Sequence, residues 1–204
     1  MATRKYQQHL RAESAEETRR RILDAVSQRL REAPTEPLSL DQVARIAKVA
    51  RSTIYTVFGS RAGLFDAFTK DLWARTGIAE LTAAVASSDA RTHLREGVAA
   101  ASRMLARDRD IYRVLHSMAK LDPESVGGAV QTMDEERRGG MAFVAKHLAE
   151  EGELRDDVSE AEATDVLWLL CSFDSFDALY TDRGLSLADT TRWLTAAIER
   201  TICR

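Results

Sequence analysis

Arg51, Ser52, Thr53, Tyr55 and Thr56 fall within six consecutive residues, with Lys48 just before them and Arg61 just after. Short hydroxyls and one guanidinium at the N-terminal end of a helix suit a DNA major groove, which is wide enough to admit a helix and presents hydrogen-bonding base edges. Arg51, Ser52 and Thr56 are the candidates for base edges, and Thr53, Lys48 and Arg61 for phosphates. A guanidinium can bond both acceptors of guanine, whereas hydroxyls are less selective, so Arg51 carries most of any readable specificity; a plain phosphate contact by Arg51 stands equally open. No enzymatic set competes with this reading. The sequence holds no His-Glu-x-x-His, no phosphate-binding glycine loop and no Gly-x-Ser-x-Gly, so neither catalytic residues nor a cofactor is expected. Cys171 and Cys203 are far apart, which excludes a disulfide framework, and His116 and His147 are too isolated in sequence to suggest a metal.

These side chains need a helix-turn-helix to present them. Ser39 precedes an apolar pattern at Leu40, Val43, Ala44 and Ala47, the spacing of a helix with one buried face, and Gln42 completes a capping box with Ser39. Lys48 and Val49 form the turn, with Val49 plugging the angle. Ile54, Val57 and Phe58 supply the inner face of the second helix.

At this point the sequence resembles the TetR family of one-component transcriptional regulators. The resemblance rests on Ile22, Leu23, Ala25, Val43-Ala44, Ala47, Val49, Thr53-Ile54-Tyr55, Phe58, Ser60-Arg61 and Leu64. It implies an all-α chain with an N-terminal three-helix DNA-binding domain, a C-terminal helical ligand-binding and dimerisation domain, and a homodimer. Tyr55 is then a DNA-backbone contact. Three positions depart from the family pattern. Lys48 stands where Gly is usual, so the turn needs a non-Gly residue in a left-handed conformation or a different construction. Ala50 occupies the usual Ser or Thr cap, and Val57 replaces a frequent His or aromatic residue.

Charge follows the same division. Residues 1 to 61 carry twelve Lys and Arg against seven Asp and Glu, and the remainder carries 17 against 25, so a net −3 chain separates into +5 and −8 parts. Positive charge gathers where phosphates must be neutralised. The expected organisation is residues 1–60 as the DNA-binding domain, beginning with a flexible arm to about residue 14, and residues 61–204 as the ligand-binding and dimerisation domain. Helix 1 is predicted from about Ala15 to Ala33, ended by Pro34 and Pro37, with Arg29 mostly outward. Ser60 caps a fourth helix to about Val85. Helical periodicity continues over about 91–106, 110–119, 124–150, 160–180 and 187–202, with Gly127-Gly128 or Gly139-Gly140 interrupting the third of these segments. With no signal core and no uninterrupted apolar run of about 18 residues, the chain is expected to be cytoplasmic and to have no membrane partner.

Trp73, Met104, Tyr112, His116, Met118, Phe143, His147 and Trp168 are candidates for an apolar or aromatic small-molecule pocket, with ordinary core as the competing reading. Residues 166–180 and the stripe Leu187, Thr191, Leu194, Ile198 carry surplus apolar surface. With Phe173 and Phe176, that stripe is expected to form the dimer interface implied by the family resemblance. The functional expectation is a repressor that binds a palindromic operator as a homodimer and is released by a small ligand. A ligand-independent DNA-binding regulator or an activator is the alternative.

Overall fold

The computed structural model describes residues 2–76 and 89–204. Helix α1 (Ala2–Glu32) begins at Ala2, so residues 2–14 continue the helix instead of forming an arm. No Gly or Pro precedes Pro34, and this segment is rich in Ala, Gln, Arg and Glu, which propagate a helix readily. Next come α2 (Leu40–Ala47), α3 (Arg51–Phe58) and α4 (Arg61–Thr76). The expected extension of α4 to Val85 lies outside the described residues.

Further along are α5 (Ala90–Arg107), α6 (Arg109–Leu121), a π-helical turn over Pro123–Gly127, and α7 (Gly128–Glu150). The interruption therefore falls at the first glycine pair, while Gly139 and Gly140 lie within α7. The segment expected to run unbroken over 160–180 divides into α8 (Glu160–Leu170), α9 (Phe173–Asp177) and a π turn over Ala178–Asp182, because the Ser172 side chain accepts from the Ser175 N–H and starts a new helix. Helix α10 (Leu187–Ile202) follows. Among the described residues the only β-type pairing is an isolated bridge between Leu154 and Cys203, and no helix is long and apolar enough to cross a membrane.

The chain forms two compact units, residues 1–71 with 114–130 and residues 72–113 with 131–204. In the first, Ile22, Leu23, Val26, Val43, Ile54, Leu64, Phe65 and Phe68 are buried. α1 packs on α2, and α2 on α3. Arg29, expected outward, is buried in this unit. It donates to Gln42 Oε1 at 3.0 Å, to the Ala33 carbonyl at 2.9 Å and to Glu36 Oε2 at 2.7 Å. The capping box expected of Ser39 and Gln42 gives way to this arrangement: Ser39 Oγ accepts from the Asp41 N–H, while the Gln42 side chain serves Arg29. Arg29→Met should therefore remove three hydrogen bonds made by a buried guanidinium and cost about 2–3 kcal/mol, because hydrogen bonds to a charged group contribute more than neutral ones. Chemical denaturation checks this; an unchanged midpoint would mean that the guanidinium is dispensable.

In the second unit, α10 packs on α5 and α8, and α9 on α5 and α8. Leu94, Val98, Ile111, Leu148, Leu167, Phe176, Leu194 and Ile198 are buried there. A bidentate pair from Arg113 to Asp177, with its closest contact at 2.7 Å, joins α6 to α9.

Candidate nucleic-acid interface

Lys48 adopts the left-handed conformation (φ 55°, ψ 46°) and its N–H bonds back to the carbonyls of Ala44 and Arg45. A non-Gly residue thus closes α2, and the strain of that backbone is offset by these bonds. Ala50 precedes α3 with no side-chain cap, and only its carbonyl serves that end, accepting from the Thr53 N–H at 2.9 Å. Ile54 is 1% exposed and anchors α3 inward, while Arg51, Ser52, Tyr55 and Thr56 remain exposed and Thr53 is half-buried.

The far end of α3 is held by a tight corner. Gly59 has φ 75° and donates to the Tyr55 carbonyl, and Ser60 Oγ caps α4 by accepting from the Gly63 N–H at 2.9 Å. A Cβ on Gly63 would lie 2.1 Å from the Phe58 carbonyl oxygen, so only glycine lets the first turn of α4 approach the last turn of α3 this closely.

Arg51 is poised rather than idle. Its Nη1 lies 3.1 Å from Asp41 Oδ2, and its guanidinium sits 6.0 Å from the Tyr55 ring centroid. Contact with Tyr55 and attraction to Asp41 raise its pKa above the ordinary arginine value. Both Arg51 and Asp41 are largely exposed, so this surface pair is weak enough for a nucleic acid to displace. Thr56 Oγ1 donates to the Ser52 carbonyl at 3.0 Å. Arg61 is differently placed: it donates to the Leu38 carbonyl at 2.8 Å, lies 3.4 Å from Asp122 Oδ2 and stacks 5.3 Å from the Phe65 centroid. To meet a phosphate it would have to leave these partners. Sequence reasoning missed Asp41 as the partner of Arg51, and Arg19, whose guanidinium lies 5.7 Å from the Phe58 ring centroid.

Residues 22–68 match the family model described as "Bacterial regulatory proteins, tetR family", which spans this helix-turn-helix with the helices on either side of it. Over these residues the chain is similar to the tetR family of bacterial regulatory proteins. Solved structures extend the likeness in fold to most of the chain. A TetR-family regulator described as putative, from a Rhodococcus species, is 18% identical with a TM-score of 0.73, covering 90% of this chain and 97% of that one. NalD of Pseudomonas aeruginosa, described as the secondary repressor of the MexAB-OprM multidrug efflux pump, is 23% identical with a TM-score of 0.70, covering 94% and 98%. A TetR regulator from Haloarcula marismortui is 17% identical with a TM-score of 0.74, covering 93% and 100%. No curated protein sequence matches the chain.

The eight pocket candidates are divided between the two compact units. His116 and Met118 belong to the first compact unit, and the other six to the second. Tyr112 stacks on Phe173 at 5.9 Å, His147 lies beside Phe143, and Trp168 carries the Arg137 guanidinium 4.9 Å from its ring centroid. Phe143 is 51% exposed, whereas Met104 is buried. Trp73 is half-buried, with its Nε1 enclosed and lacking a hydrogen-bond partner.

The residues expected at the dimer interface differ in their burial. Phe173, Phe176, Leu194 and Ile198 are buried within the single chain, and only Leu187 and Thr191 of the expected set keep partial exposure. The α10 face that turns into its own unit is Thr190, Leu194, Ile198 and Ile202. On α8 and α10 the large apolar side chains left exposed are Trp168, Leu169 and Trp193, while Tyr55, Leu121 and Phe143 are exposed on other helices.

Proposed function

We propose that this regulator is a repressor that binds a palindromic operator as a homodimer in the cytoplasm and is released by a small apolar or aromatic ligand. The observation that carries the DNA half of this reading is the outward face of α3, where Arg51, Ser52, Tyr55 and Thr56 are exposed on a helix anchored by Ile54. Residues 1–60 act as the reading head and residues 61–204 as the sensor and dimerisation domain, with no catalytic activity required of either. Arg51, Ser52 and Thr56 address base edges, and Lys48, Thr53 and Tyr55 address phosphates. Arg61 supports the head through Leu38 and Asp122 and joins the phosphate contacts only on exchanging those partners.

The paired copy docks through Trp168, Leu169 and Trp193, because exposed large apolar side chains on adjacent helices gain most from burial in a two-fold interface. The effector is read by the soft and aromatic side chains of the second unit, Trp73, Met104, Tyr112, Phe143, His147 and Trp168, with His116 and Met118 as the candidates outside it. Release needs only that the ligand bind the geometry unsuited to DNA more tightly, and linkage then makes DNA weaken ligand binding by the same factor.

Arg51→Ala should relax preference at one base position of each half-site, costing about 1–3 kcal/mol on the operator and less on random duplex. Tyr55→Phe should instead weaken all duplexes alike. Fluorescence anisotropy on operator and random DNA separates the two. Equal loss on both duplexes for Arg51→Ala would remove it from base reading and leave it as a phosphate contact.

A further inference from the structure

We propose that His93 on α5 and His147 on α7 form a binding site for a divalent transition metal of the zinc class. The two imidazoles face each other through their Nδ1 atoms at 3.4 Å. That separation is longer than the usual range of about 2.7–3.2 Å for a nitrogen hydrogen bond. It matches the edge of a tetrahedron whose metal–nitrogen bonds are about 2.0–2.1 Å. The rings lie 5.7 Å apart, tilted by 54°.

The surroundings favour ligation over a plain core pair. His147 Nε2 lies 3.2 Å from Glu151 Oε1, and Glu151 Oε2 in turn accepts from the Ala90 N–H at 2.9 Å. A carboxylate held in this way keeps the proton on Nε2 and leaves the His147 Nδ1 lone pair for a metal, the outer-shell arrangement common in histidine metal sites. Without metal, one Nδ1 carries the proton between the rings. With metal, His93 carries its proton on Nε2 instead, and the balance of protons is unchanged.

Phe143 forms one wall, 5.8 Å from the His93 ring and 6.4 Å from the His147 ring. His93 is 3% exposed, but the His147 side chain keeps 22% and Phe143 51% exposure, so entry is from the α7 side. Among the described residues no third protein ligand is already in place. Water fills the remaining positions, or Glu96, an exposed carboxylate three residues beyond His93 on α5 that already acts on the His93 charge, swings in. The site shares His147 and Phe143 with the proposed effector pocket but is argued from the facing imidazoles alone. Sequence spacing hid it, since His93 and His147 are 54 residues apart.

The test is titration of the full chain with Zn²⁺ alone against a chromophoric chelator, with Co²⁺ as the spectroscopic probe. One metal per chain is expected, with visible absorption of a low-coordinate cobalt site. His147→Gln should weaken binding by more than tenfold, and Glu151→Gln by about 10–100-fold through loss of the outer-shell bond. Because His93 is buried and His93→Gln can disturb the fold, the second measurement uses the wild-type chain: Zn²⁺ must shift the Nδ1 resonances of both histidines. Absence of stoichiometric binding, retention of affinity in His147→Gln, or a Zn²⁺ shift at other residues with these two unmoved would each overturn the site.

Discussion

Leu194→Glu should unfold the second compact unit, not merely separate two copies of the chain. Leu194 is 2% exposed within one chain, one turn before the fully buried Ile198, on a helix packed against α5 and α8. A carboxylate placed there has no cation facing it on the buried stripe of Thr190, Ile198 and Ile202. Stranding a charge in such surroundings costs about 3–5 kcal/mol, a large share of the stability of an ordinary domain. Trp193→Glu, one residue away but 47% exposed, is the contrasting variant. It should change the stability of the fold by no more than about 0.5 kcal/mol while weakening the dimer. Denaturation and sedimentation of the pair distinguish the two effects. A folded, monomeric Leu194→Glu would return this stripe to the interface and remove it from the core.

Gly63→Ala should damage the DNA-binding head more than any substitution on the outward face of α3. The added methyl would meet the Phe58 carbonyl oxygen, a backbone atom at the end of α3 that cannot turn away as a side chain can. Either α4 shifts relative to α3 or the helix end frays. The cost is about 1–3 kcal/mol of head stability, as for overpacking elsewhere, with a loss of DNA affinity on every sequence. Gly97→Ala is the control, since a Cβ at Gly97 meets nothing within 4 Å. Hydrogen exchange of the α3 amides and anisotropy with duplex DNA report the outcome. Unchanged exchange in Gly63→Ala would mean that the corner yields without cost.

What could be read from the chain without coordinates follows from how local each signal is. The two helices of the reading head, the left-handed residue at Lys48, the missing cap at Ala50 and the Ser60 cap of α4 depend on near neighbours, and all are present. Arg29 and Gln42 went astray because each is claimed by a partner on another element, which no periodicity displays. The same holds for Arg61, whose Leu38 and Asp122 partners lie 23 and 61 residues away in sequence. On α10 the apolar stripe was visible, but a stripe says only that a face is buried. Whether its own chain or a second copy covers it is a tertiary fact, and here α5 and α8 cover it. The break at Ser172 was hidden in an apolar run because the cap is one serine whose local bond competes with continued helix.

The central claim, a dimer that reads DNA through α3, is tested most directly by selecting bound sequences from a random duplex pool with the full chain. The pool should converge on an inverted repeat whose half-sites lie about one helical turn, roughly 34 Å, or a multiple of it apart. Repeating the selection with Arg51→Ala should degrade one position in each half and leave the spacing intact. A pool that fails to converge, or a consensus without two-fold symmetry that is indifferent to Arg51, Ser52 and Thr56 alike, would contradict the account.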